Sequence, residues 1–120
     1  MKIYVSHSRS FDFKIELYDV LKNSAINAEF IFPHLESDEP FDVKSLFENK
    51  GCDLVLAEAS YPGTGQGIEL GWASMMDIPI ISVCKSGSKI SSSLKMISKE
   101  VVEYSSPEDL TTKLTKILNT

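Results

Sequence analysis

Five short apolar runs alternate with five segments of helical character, and this alternation constrains the fold more than any other feature. Residues 2–6 form the first run. Phe13, Ile15, Leu17, Tyr18 and Leu21 then recur at helical spacing, which predicts an amphipathic helix over 12–23. A second strand is predicted over 29–32, stopped by Pro33, and a helix over 42–50, capped by Asp42 and ended by Gly51. Residues 53–58 and 78–84 are apolar almost throughout, as in strands covered on both faces. Helices are expected over 66–76 and 91–97, and a last strand over 101–104. Ser106 followed by Pro107 opens a terminal helix running to Leu118. Together these predict an α/β fold: a doubly wound five-stranded parallel sheet in the flavodoxin-like order 2-1-3-4-5, with helices on both faces. Ligands of such sheets bind beyond the carboxyl ends of the strands, near the switch point. That gathers three loops, 6–11, 59–68 and 85–91, around one crevice.

The 120 residues make a single domain, with no repeat, low-complexity tract or internal linker. A net charge of −5 argues against a nucleic acid polymer or an anionic membrane as partner. The apolar runs are strand-sized, so none is expected to span a bilayer. Met1 leads straight into an apolar strand, so no signal peptide is expected. Cys52 and Cys84 fit reduced thiols of a cytoplasmic protein.

The stretch from Cys52 to Ala73 carries the chemistry. It reads as a buried strand, a turn rich in glycine (Gly63, Gly65, Gly67), and a helix with Glu69 inside its first turn. The glycines let a substrate approach the backbone, and the helix N-terminus is expected to keep Glu69 ionised. A positioned carboxylate can attack a sugar carbon. Retaining glycosyl transfer also wants a second acid or base about 5 Å away. Glu58, closing the strand, is either that acid or a solvated loop residue. Arg9 is the only arginine in the chain, and its planar fork suits phosphate; a solvated surface arginine is the plain alternative. Tyr4, Tyr61 and Trp72 read as core or rim residues. His7, placed in the first loop, and His34 lack metal-ligand spacing, so no metal is expected. Ser91, Ser92 and Ser93 can cap the helix that follows. Glu36, Asp38, Glu39 and Asp42 read as a solvated acidic loop.

Other doubly wound families fail on their motifs. The dinucleotide G-x-G-x-x-G is absent, because Ile68 and Leu70 occupy its glycine positions. The loop after the first strand, Ser6-His7-Ser8-Arg9-Ser10, has no glycine for a flavin phosphate and no acidic residue of a receiver domain. No P-loop occurs, and no cofactor is expected.

The block does resemble the nucleoside 2-deoxyribosyltransferase superfamily, which includes the 2′-deoxynucleoside 5′-monophosphate N-hydrolases. The resemblance runs over Asp53 and its strand, Pro62, Gly65, then Gly67-Ile68-Glu69-Leu70-Gly71-Trp72-Ala73 and Pro79-Ile80-Ile81. Arg9 and the run from Ser86 to Ser93 are similar too. The resemblance implies cleavage of the N-glycosidic bond of 2′-deoxynucleosides or their 5′-monophosphates through a covalent deoxyribosyl intermediate. It makes Glu69 the nucleophile and Asp53 its catalytic neighbour. Substrate binding is expected from Ser6, His7, Arg9, Gly63, Thr64, Gly65, Gly67, Ser91 and Ser93. It also implies a homodimer, with a serine among 91–93 reaching the partner's site. Where the monophosphate hydrolases place a phosphate-binding serine, this chain has Gly63, with Thr64 adjacent. Hydrolysis is favoured over base exchange, since no long insertion builds a second base site. A non-catalytic nucleotide-binding domain is the alternative of another class. The discriminating geometry is whether both carboxylates face one cavity beside Arg9.

Overall fold

A computed structural model describes residues 1–119 of the chain. The elements are β1 (Lys2–His7), a π-helical turn (Lys14–Tyr18) continuing into α1 (Asp19–Lys22), β2 (Glu29–Ile31), α2 (Val43–Glu48) and β3 (Leu54–Glu58). They continue with α3 (Thr64–Met75), β4 (Ile80–Lys85), α4 (Ser92–Ile97), β5 (Glu100–Tyr104) and α5 (Pro107–Leu118). Every strand pairing is parallel and the order is β2-β1-β3-β4-β5, as the alternation predicts.

Strand side chains alternate between two cores. Ile3, Val5, Leu54, Leu56, Ile81 and Val83 face α1 and α5 through Leu17, Leu21, Leu110 and Leu114. Tyr4, Val55, Ala57 and Ile80 face α2 and α3 through Val43, Phe47, Leu70 and Ala73. Each fully buried aliphatic side chain contributes roughly 1.5–3 kcal/mol relative to exposure. The helix caps read at Asp42 and Ser106 are made. Asp42 accepts from the Ser45 N–H, and Ser106 from the Asp109 N–H.

Three local expectations change. The first helical segment begins with a π-turn rather than a regular α-turn, and the adjacent Leu17 and Tyr18 are both fully buried there. At the end of α2 the left-handed residue is Lys50, at φ 53°, rather than Gly51. Gly51 is tightly placed: a Cβ there would lie 3.2 Å from the Leu46 carbonyl oxygen and would push the Leu46 side-chain end aside. His7 belongs to β1, not to the loop after it. It packs against Phe13 at 4.4 Å between ring centroids and against Tyr18 at 5.2 Å.

Glu58 is neither a solvated loop residue nor a second acid for the crevice. It is 1% exposed and lies in β3 two residues beyond Leu56, on the α1/α5 face. Its carboxylate accepts from the Ser60 N–H at 2.6 Å and from the Tyr104 hydroxyl. Burial, and then the carboxylate, push the Tyr104 phenol well above its ordinary value, so it stays a donor. Glu58 thereby ties the start of the loop after β3 to β5.

Candidate functional site

The site is built where β1 and β3 end and α3 begins. Gly63 is the N-cap of α3 in extended backbone, and no side chain caps the helix. A Cβ on Gly63 would press on Ser8 Cβ at 3.1 Å, so this position brings the loop after β1 against the start of α3. Helix α3 starts at Thr64, which puts Gly65 and Gly67 inside its first turns rather than in a preceding turn. Their missing side chains leave bare helix backbone facing open space.

Glu69 consequently lies in the second turn of α3, beyond the reach of the helix terminus. Its charge is governed by other forces. Burial pushes its carboxyl upward, against hydrogen bonds from the Ser6 and Tyr4 hydroxyls that pull it down. Ser6 Oγ donates to Oε2 at 2.9 Å. Tyr4 is 1% exposed, and its phenol is raised far above its ordinary value, first by burial and then by Glu69. Both donors rise from β1, on the face packed by α3.

Glu69 opens onto a cleft of about 490 Å³ that also takes in Ser8, Arg9, Ser10, His34 and Gly63. A second, mostly apolar cavity of about 430 Å³ lies across the wall made by Pro62, Gly63 and Gln66. Tyr61, Gly67, Leu94, Ile97, Ser91 and Ser93 line it. Ser91 also caps α4, its Oγ accepting from the Ser93 N–H at 3.2 Å. Thr64 is exposed and lines neither cavity.

The cleft's cation is already engaged. Arg9 donates to the Asp38 carbonyl at 3.1 Å and pairs with its carboxylate at 3.3 Å, both groups being largely exposed. The acidic loop is thus tied to the cleft rather than merely solvated. Behind Arg9 runs a fixed relay. The backbone N–H of His34 donates to Tyr18 Oη at 3.1 Å, and His7 Nε2 meets that hydroxyl at 2.6 Å. His7 Nδ1 lies 2.7 Å from the Ser8 carbonyl, which can only accept. Nδ1 therefore carries the proton, and Nε2 accepts from Tyr18. Burial lowers His7 to about 4, so the ring is neutral and acts as part of the scaffold.

Asp53 does not join Glu69. Its carboxylate accepts from the Lys2 N–H at 2.7 Å, at the amino end of the sheet. Lys2 precedes Ser6 by four residues of β1, a span of roughly 13 Å at strand rise. Asp53 instead borders a separate hollow with Phe47, Lys50 and Asp77. A strand's first residue and the residues beyond its last lie at opposite ends of a sheet, so the two carboxylates cannot converge. Sequence reading missed Gln66, whose side chain is buried between the two cavities. Its spacing of three residues from Glu69, on one helix face, was the available signal. Among the described residues no cluster of His, Cys, Asp or Glu is arranged to hold a metal, both cysteines are free and buried, and no helix is long and apolar enough to cross a membrane.

No family model matches the chain, and no curated protein sequence does either. Solved structures do. The chain is similar to the CMP N-glycosidase BcmB of Clostridium botulinum, with TM-score 0.69 and 21% identity over 98% of this chain and 100% of that one. It is also similar to the signal receiver domain of a protein described as a Luxo repressor from Vibrio parahaemolyticus, with TM-score 0.63 and 15% identity over 98% and 89%. At these identities the likeness is one of fold. One scaffold serves both neighbours, so the choice between their chemistries rests on the site.

Proposed function

We propose that this protein cleaves the N-glycosidic bond of a nucleoside or nucleotide, with Glu69 as nucleophile and water as the final acceptor. Asp53 does not face the cleft, so the two-carboxylate geometry that would separate cleavage from a non-catalytic nucleotide-binding domain is not met, and the reading rests on Glu69 alone. Glu69 is half-buried, held by hydroxyls of β1, and open to a cleft. The sequence block around it and the N-glycosidase among the structural neighbours support the same reading.

In the first step a Glu69 oxygen bonds to C1′ while the bond from C1′ to the base nitrogen breaks. The electron pair leaves with the base, which takes a proton from water. In the second step water attacks C1′, the glycosyl ester bond breaks, and Glu69 recovers its charge as the water's proton passes to solvent. A 2-deoxy sugar suits this course, because no 2-hydroxyl withdraws charge from the oxocarbenium-like transition state. The hydroxyls of Ser6 and Tyr4 hold the carboxylate's orientation, which counts toward the rate as positioning. The test is a panel of 2′-deoxynucleosides and their 5′-monophosphates, with free base measured by chromatography; no base from any member would remove the reading.

The nucleophile must be ionised, and burial raises its folded value. Activity should therefore fall as pH drops through that raised value. The acidic limb of kcat/KM against pH should lie above the ordinary glutamate value. A limb at or below that value would show that burial does not control Glu69.

The proposed assembly is a homodimer. Ile68, Trp72, Met75 and Met76 recur along α3 and are all exposed, a stripe of large apolar side chains that water penalises. The expected result is a dimer by light scattering at micromolar concentration and a monomer for Trp72→Glu. A monomeric unmodified protein would refute it.

A further inference from the structure

Gln66 lies one turn before Glu69 on the same face of α3 and is 6% exposed. Its Nε2 donates to the Ser6 carbonyl at 3.2 Å and to the Glu58 carbonyl at 2.8 Å, at the ends of β1 and β3. An amide nitrogen carries two hydrogens, and both are used. The group cannot be inverted, because its oxygen would then face two carbonyl oxygens. The amide oxygen therefore points away from the strands. Among the described residues it accepts from no protein group, and no fully buried side-chain polar atom lacks a partner. So this oxygen opens onto the cavities that Gln66 separates.

The wall of the cleft thus holds a fixed, uncharged acceptor whose donors are all engaged. Residues three apart on a helix have Cβ atoms about 5–6 Å apart, close enough for a furanose attacked by Glu69 to reach Gln66 through a hydroxyl. A hydroxyl can donate to that oxygen. A phosphate dianion can only accept, and would set its oxygens against it. The surroundings favour the same choice. The Arg9 guanidinium is paired with Asp38.

We infer that the Gln66 carbonyl selects the substrate, accepting a hydrogen bond from the 5′-hydroxyl of an uncharged nucleoside, and that the site takes nucleosides in preference to their 5′-monophosphates, which lack that hydroxyl. The inference rests on the nucleoside-cleaving reading and sharpens it.

The test is calorimetric binding to the Glu69→Gln protein, where affinity is read without turnover. The ligands are the common 2′-deoxynucleosides, their 5′-monophosphates, and the 2′,3′- and 2′,5′-dideoxy analogues. A nucleoside should bind, its monophosphate should bind about tenfold more weakly or worse, and the 2′,5′-dideoxy analogue should lose about tenfold, the worth of one good hydrogen bond. Adding Gln66→Met should lower nucleoside affinity similarly while leaving that dideoxy analogue unchanged. If the methionine variant does not fold, the dideoxy comparison with Gln66 intact decides. A monophosphate that binds as tightly as its nucleoside would overturn the inference, as would a 2′,5′-dideoxy analogue that binds like the parent. Selective nucleoside binding with no base release by the unmodified protein would remove the chemistry and leave Gln66 its role. No nucleoside binding at all would remove both.

Discussion

Glu69→Gln should lose base release by several orders of magnitude while keeping its fold. The amide matches the carboxylate in size, and its oxygen can still accept from Ser6, so the packing of α3 on β1 has no reason to change. What disappears is the nucleophile. A mechanism-based 2-deoxy-2-fluoro nucleoside should add one sugar mass to the unmodified protein, by intact mass spectrometry, and none to the variant. Full activity in the variant would end the catalytic reading and promote the nucleotide-binding alternative. Asp53→Asn serves as contrast: with its carboxylate at the far end of the sheet, base release should be nearly unchanged.

The second large effect is on stability. His7 titrates near 6.5 when unfolded and near 4 when folded, because burial disfavours its charged form. Between those values the unfolded chain binds the extra proton, so stability rises with pH across this window and is lost as pH falls through it. The full shift corresponds to about 3 kcal/mol as an upper order of magnitude. His34, also lowered by burial, adds in the same direction. Urea midpoints should therefore drop steeply from pH 7 to pH 4.5, and His7→Gln should flatten the slope. A flat profile in the unmodified protein would mean that His7 charges within the fold.

The sheet was legible because period and composition report it locally. The apolar runs at 53–58 and 78–84 read as two-sided strands, and once five strand–helix pairs are counted few topologies remain. The cleft was legible in part. Glu69, Ser6, Arg9 and Gly63 do come together, because topology carries the carboxyl ends of β1 and β3 and the start of α3 to one place. Asp53 was misplaced because closeness in sequence to Glu69 says nothing about which end of a strand a residue occupies. The helix start was set a few residues late, since glycines read as turn residues; that put Glu69 under the helix dipole instead of under burial. Gln66 went unread because its role depends on two backbone carbonyls from distant strands, and no local pattern records those.

The strand order has a consequence for how the chain is made. Of the five strands β1 is synthesised before the others, yet it is interior, and its longer partner is β3. The early partner, β2, matches only three of its residues. Until Glu58 has left the ribosome, one edge of β1 therefore has no neighbour, and the oily side chains of Ile3 and Val5 wait on a pairing some fifty positions away. Assembly of the nascent protein is consequently back-loaded, and it is during that interval, rather than in the finished molecule, that this small domain is most open to self-association and to capture by chaperones.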